Sequence, residues 1–184
     1  AREAGLEALA EWLLAEGTGA RFDAPAEPVY SGTLALEDLR KKAELFINIE
    51  LGINSAEEAL AGARDILAEI FNENKDIRQD VRRLFTREAL LTSKVISIQK
   101  DDPEAAKYRD YFAWSESAAK APSHRILAVL RGSEEGHLIS HVLPEREKAQ
   151  DLLETRIIGR NSPDGNAAAA AVWEAAQDSY KRLM

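Results

Sequence analysis

Arg78, Arg82, Arg83 and Arg87 recur at spacings that place guanidinium groups along the outer half of one helix. Such a row could track a nucleic-acid backbone by neutralising phosphates, with Lys75, Lys94 and Lys100 extending it. The plainer alternative is a solvated face, because Asp80 and Glu88 lie close enough along the helix to form surface ion pairs, each worth a few tenths of a kcal/mol. A second candidate is Ser123-His124-Arg125. Adjacent helical residues point about 100° apart, so Ser123 and His124 cannot act as nucleophile and base. His124 and Arg125 could instead meet phosphate at a helix N-terminus, where unpaired backbone N–H groups favour anions, with Ser123 as the cap.

His137 and His141 lie four apart and could share a metal, but zinc needs a third ligand and only Glu134, Glu135 and Glu145 are near in sequence. We expect no metal site. Tyr108, Tyr111, Phe112 and Trp114 could stack bases as single-strand binders do, and core packing is the simpler role. The carboxylates single out no acid–base pair, and no Gly-rich phosphate loop, nucleophile elbow or kinase motif is present. Without cysteine, thiolate catalysis, Cys-ligated zinc and iron–sulfur chemistry are excluded. The sequence therefore predicts no catalytic residue, no cofactor and no small-molecule substrate.

These groups sit on a chain of 184 residues, 45% hydrophobic, enough for one sizeable core or two small ones. The net charge of −8 and pI near 5.0 argue against a protein dedicated to coating phosphates. The charge is uneven: residues 1–74 carry 6 basic and 15 acidic side chains, residues 75–100 carry 7 and 3, and residues 101–184 carry 11 and 14. Nucleic-acid contact should centre on the middle window. The longest apolar run, Ala167 to Trp173, is far short of the roughly 20 residues needed to span a bilayer. Arg2, Glu3, Glu7 and Glu11 interrupt any signal-peptide core, so a cytoplasmic location is expected.

The elements that must position these groups are mostly helical. Leu6, Leu9, Leu13 and Leu14, beside Trp12, mark a first helix ending at Gly17 and Gly19, followed by a connector through Pro25 and Pro28. Leu36, Leu39, Ala43 and Phe46 mark a second over 34–47, with Thr33 as cap and Gly52 closing the element. Ser55 and Glu58 form a capping box before Ala59, Leu60, Ala63, Ile66, Leu67, Ile70 and Phe71. Asp76 is the expected cap of the arginine-bearing helix, whose Ile77, Val81, Leu84 and Phe85 face inward together with Leu91.

Val95, Ile96 and Ile98 predict a strand over 94–100, and 137–143 predicts a second, the two pairing as a ribbon across a helical excursion at about 103–131. In that excursion a helix begins near Pro122 and runs through Ile126, Leu127 and Leu130 to Gly132. A helix over 145–158, a turn-rich stretch over 161–166 and a final helix from Ala167 through Val172, Trp173, Ala176, Tyr180 and Leu183 complete the chain. The expected fold class is mainly α, a multi-helix array with a small two-stranded antiparallel β ribbon and a sub-boundary near residues 92–100. An uncapped apolar helix at the end and a start without Met suggest a fragment of a larger protein.

Three ordered stretches carry a resemblance: Ala1-Arg-Glu-Ala-Gly-Leu-Glu-Ala-Leu-Ala10; Asn54-Ser-Ala-Glu-Glu-Ala-Leu-Ala-Gly-Ala-Arg-Asp-Ile-Leu-Ala-Glu69; and Lys107-Tyr-Arg-Asp-Tyr-Phe112 with Pro122-Ser-His-Arg125 and Leu130-Arg-Gly132. Together with Asp178-Ser-Tyr-Lys-Arg-Leu183 they resemble the N-terminal helical region of the Tex family, bacterial transcription accessory proteins related to a eukaryotic elongation factor. The resemblance implies a multidomain parent with an RNase H-like domain, a helix-hairpin-helix segment and a C-terminal OB-fold RNA-binding domain. It implies nucleic acid (RNA or DNA) and transcription machinery as partners, with binding chiefly through the OB-fold. It supplies no catalytic role for residues 107–112 or 122–125, which read as architectural, and the chain departs from the family pattern over 21–31 and 157–166. A non-catalytic helical scaffold is the first expectation; the alternative is a module whose acidic first 74 residues dock transcription or translation machinery.

Overall fold

The computed structural model describes residues 5–20, 32–100, 102–159 and 164–183. The expected connector through Pro25 and Pro28, and residues 161–163 of the expected turn, lie outside these. Two compact units are present, one formed by residues 1–79 and 150–184 and the other by residues 80–149.

The first unit is helical. Helix α1 (Glu7–Thr18) buries Leu9, Leu13 and Leu14, and Gly19 closes it with a left-handed φ of 74°. Gly17 is not the cap expected of it but part of the helix, where a Cβ would stand 2.9 Å from backbone atoms of Ala168 and Ala169. Helix α2 (Leu36–Glu44) is shorter than its periodicity suggested and starts from Ala35 with no side-chain cap, so Thr33 does not serve. Its Leu36 is exposed, and Leu39 and Ala43 are its buried anchors. After α2 a short 3-10 turn (Ile49–Leu51) ends at Gly52, whose φ is 78°.

Helix α3 (Ala56–Glu73) begins with Ser55 accepting from the Glu58 N–H at 3.2 Å. The return half of the capping box is displaced by one residue: Glu58 accepts from the Asn54 backbone N–H at 2.6 Å. Ile66 and Leu67 are fully buried, each such side chain contributing about 1.5–3 kcal/mol. Helix α7 (Ala167–Leu183) lays Ala168, Ala169, Val172, Ala175 and Ala176 inward, and its small residues let α1 and α3 approach closely. Buried Asn166 ties the start of α7 down: its Oδ1 accepts from Ala168 and Ala169 N–H groups at 2.9 and 3.0 Å, and its Nδ2 donates to the Glu16 carbonyl at 3.0 Å. Along the outside, Arg182 pairs with Asp65 at 2.8 Å, and Arg64 pairs with Glu174.

Helix α4 (Lys75–Glu88) carries the chain from one unit into the other. Its cap is Asn74, not Asp76: the Asn74 Oδ1 accepts from Asp76 and Ile77 N–H groups at 2.9 and 3.1 Å. Asn and Asp are equally good caps, so the choice follows where the helix starts.

The second unit is built on a sheet of three strands rather than the expected two. Strands β1 (Leu90–Val95), β2 (Ala113–Ser117) and β3 (Leu138–Leu143) run antiparallel in the order β2-β1-β3. The first strand lies earlier than 94–100, which turns into a short 3-10 segment (Ser97–Gln99). The excursion opens as a 3-10 helix (Ala105–Tyr111) and is then broken by β2, in which Trp114 opposes Ser93. A third strand relieves the marginal stability of a lone hairpin. Helix α5 (Ser123–Glu134) starts from Pro122, with no side-chain cap from Ser123. It packs on β3, with Gly132 against Leu138, and buries Val129, whereas Leu127 and Leu130 are 63% and 45% exposed. Helix α6 (Arg146–Leu153) leads back to the first unit, where a π-helical turn (Glu154–Ile158) replaces the regular helix expected to residue 158.

Candidate nucleic-acid interface

All the cations of α4 are exposed, and its inner side is closed by buried Ile77 and Val81 with half-buried Leu84 and Phe85. At about 100° per residue the arginines do not share one face; they split into two stripes. Lys75, Arg78 and Arg82 fall within about 60° of one another, spread along about 10 Å of axis. No acidic residue shares that stripe, and among the described residues none of the three forms an ion pair. Arg83 and Arg87 occupy the far side of the outer face with Asp76 and Asp80 interleaved. There Arg83 pairs with Asp80 at 3.2 Å, and this second stripe is neutral by count.

The split was legible in the sequence. Seven residues make nearly two full turns, so Lys75 lies under Arg82, Asp76 under Arg83 and Asp80 under Arg87.

Lys94 is exposed on β1, opposite Ala113 and Ile139, on the same sheet face as Thr92 and His141. His124 is exposed in the first turn of α5. Arg125 is committed elsewhere: Glu116 of β2 holds its guanidinium at 2.9 Å, and that hydrogen bond raises the arginine's pKa further above its ordinary value. His124 and Arg125 thus lie on α5, a different helix from the one that carries the arginine row.

The remaining candidates are spread through the second unit. His137 is buried beside Tyr108, ring centroids 5.9 Å apart, with Asp102 and Glu135 carboxylates each 4.0 Å from one of its nitrogens. Lys107 pairs with Glu135 at 2.6 Å; the hydrogen bond from Lys107 holds the Glu135 carboxyl below its ordinary range and raises the lysine. His141, by contrast, is exposed. Among the described residues no group of three or more His, Asp or Glu stands together as a metal site. Tyr111 and Trp114 meet edge to face at 5.5 Å and are half-buried, so these rings pack on each other rather than forming an open stacking platform. Among the described residues no helix is long and apolar enough to cross a membrane.

Counted over the sequence, the two units differ sharply in charge. The first carries 12 Lys and Arg against 21 Asp and Glu, the second 12 against 11. These features define a mainly helical protein with a small antiparallel sheet, an acidic helical unit and one helix presenting an unanswered cationic stripe.

The chain belongs to the Tex family: residues 36–180 match the family described as Tex central region-like. It is 41% identical over 138 residues to Protein tex of Bordetella pertussis, covering 75% of this chain and 15% of that protein. It is 36% identical over 136 residues to Protein YhgF of Escherichia coli, covering 74% and 15%. Similarity to the Transcriptional accessory protein Tex of Neisseria gonorrhoeae is 36% identity over 138 residues, again covering 75% of this chain and 15% of the relative. The chain therefore spans about 15% of the length of these relatives.

Proposed function

We propose that this chain is a non-catalytic helical scaffold within a cytoplasmic transcription accessory protein, and that α4 offers nucleic acid a phosphate-contacting edge through Lys75, Arg78 and Arg82. The observation that carries this is the acid-free stripe. Three exposed cations without an ion pair among the described residues keep their charge available, whereas Arg83 and Arg125 are held by carboxylates. Stripes of this kind bind backbone irrespective of sequence, and the affinity is expressed as counterion release. The relative named a transcriptional accessory protein supplies the biological setting.

The test is fluorescence anisotropy of labelled single-stranded RNA and duplex DNA titrated with the chain at several salt concentrations. Binding that weakens steadily with salt supports a phosphate-contacting edge. Absence of binding to either probe would leave a scaffold only, with nucleic-acid contact lying in other parts of the longer relatives.

A further inference from the structure

Residues 45–53 form a small closed loop in the acidic first unit. The Asn48 N–H donates to the Ile53 carbonyl at 3.0 Å and the Ile53 N–H returns to the Asn48 carbonyl at 2.9 Å. Inside this clasp Asn48 Oδ1 accepts from the Leu51 N–H at 3.3 Å, and left-handed Gly52 turns the chain back. Ile53 is buried and anchors the loop. The residues it displays are apolar: Leu45 is 76% exposed, Ile47 40%, Ile49 75% and Leu51 52%. A single exposed leucine needs no explanation, but four large apolar side chains exposed within seven residues point to a surface that a partner covers.

The exposed charges beside and within the loop that have no ion pair among the described residues are carboxylates. Every cation of α2 is already engaged: Arg40 with Glu57, Lys41 with Asp38 at 3.7 Å, and Lys42 over the Trp12 ring at 5.5 Å. Glu44, which precedes the loop, and Glu50, within it, are left exposed, and among the described residues neither has an ion-pair partner. An apolar patch rimmed by unanswered carboxylates, in a unit with a large acidic excess, is complementary to a cationic amphipathic segment and repels nucleic acid and anionic lipid.

We infer that the loop over 45–51 is a docking site for a basic amphipathic helix of a protein partner. Its leucine-type anchors would cover Leu45, Ile47, Ile49 and Leu51, and its Lys or Arg side chains would meet Glu44 and Glu50. The hydrogen-bonded clasp between Asn48 and Ile53 holds Ile49 and Leu51 in place, so little ordering cost falls on that part of the contact. The site is independent of the α4 stripe.

The test uses the chain with two labelled peptides of about 18 residues, both with Leu at i, i+3, i+4 and i+7 and with either Lys or Glu at the remaining positions. The Lys peptide should bind at least about ten-fold tighter than the Glu peptide, and the chain with Ile49→Ser and Leu51→Ser should lose at least about ten-fold in affinity for it. Glu44→Gln with Glu50→Gln should weaken binding and flatten its salt dependence. Because all four positions are exposed, circular dichroism should show unchanged folding. Equal affinity of the Ile49→Ser, Leu51→Ser chain for the Lys peptide would overturn the site, since binding would then follow bulk acidity alone. Absence of binding would overturn it too, as would concentration-dependent self-association that the same two substitutions abolish, which would make a second copy the occupant. Arg78→Gln with Arg82→Gln should leave peptide binding unchanged, so failure here is distinguishable from failure of the nucleic-acid edge.

Discussion

Two charge-matched variants separate the α4 stripe from the overall charge of its helix. Arg78→Gln with Arg82→Gln removes two cations from the acid-free stripe. Arg83→Gln with Arg87→Gln removes the same charge from the stripe that Asp76 and Asp80 already balance. Gln has nearly the helix propensity of Arg, so the helix itself should persist in both. If Arg78 and Arg82 each neutralise one phosphate of duplex DNA, their removal lowers the slope of log affinity against log salt by about 1.8, or about 1.4 on a single strand. Between about 50 mM and 200 mM salt the intact chain should therefore lose about 12-fold more duplex affinity than the Arg78, Arg82 variant. The Arg83, Arg87 variant should keep nearly the original slope. Anisotropy titrations at several salt concentrations give all the slopes, with thermal melts run beside them because Arg83 supports half-buried Asp80. Equal slope changes in the two variants would refute the stripe, since affinity would then depend on net charge and not on which side of the helix carries it.

Other expectations follow from packing and capping. Gly17→Ala forces a methyl group to 2.9 Å from the backbone of Ala168 and Ala169, and should destabilise the chain by about 1–3 kcal/mol in urea denaturation despite the gain in helix propensity. Removing the observed cap with Asn74→Ala should cost about 0.5–2 kcal/mol, and Asp76→Ala much less; equal effects would return the capping role to Asp76. Because the Glu135 carboxyl is held below its ordinary value of 4.5, the contribution of its pair with Lys107 is complete above that value and fades as pH falls beneath it. Melting temperatures of the chain and of Glu135→Gln should thus converge on acidification; a gap that persists unchanged through the acidic range would contradict this linkage.

Much of the fold was legible in one dimension. The leucines of α1, the Ser55 cap and the apolar stripe of α3 report their own environment, because a period near 3.6 puts those residues on one side of a helix whatever surrounds it. The two charge stripes of α4 likewise depend only on helical geometry. Family membership was also legible, in ordered motifs over most of the chain. Strand β2 was not: Ala113 to Ser117 mixes Trp with small and acidic residues, and becomes a strand because β1 has a second edge to pair. Nor were the exposures of Leu45, Ile49 and Leu127, whose hydrophobicity predicts burial but whose burial depends on whether another element arrives to cover them. Which cations stay available is the same kind of question, since Glu116 reaches Arg125 only once β2 and α5 are folded side by side. Sequence alone determined the helical periods, the charge balance and the family, because these are properties of neighbours along the chain. Tertiary structure decided the third strand, the uncovered loop and the free cationic stripe, because pairing and burial depend on residues distant in sequence.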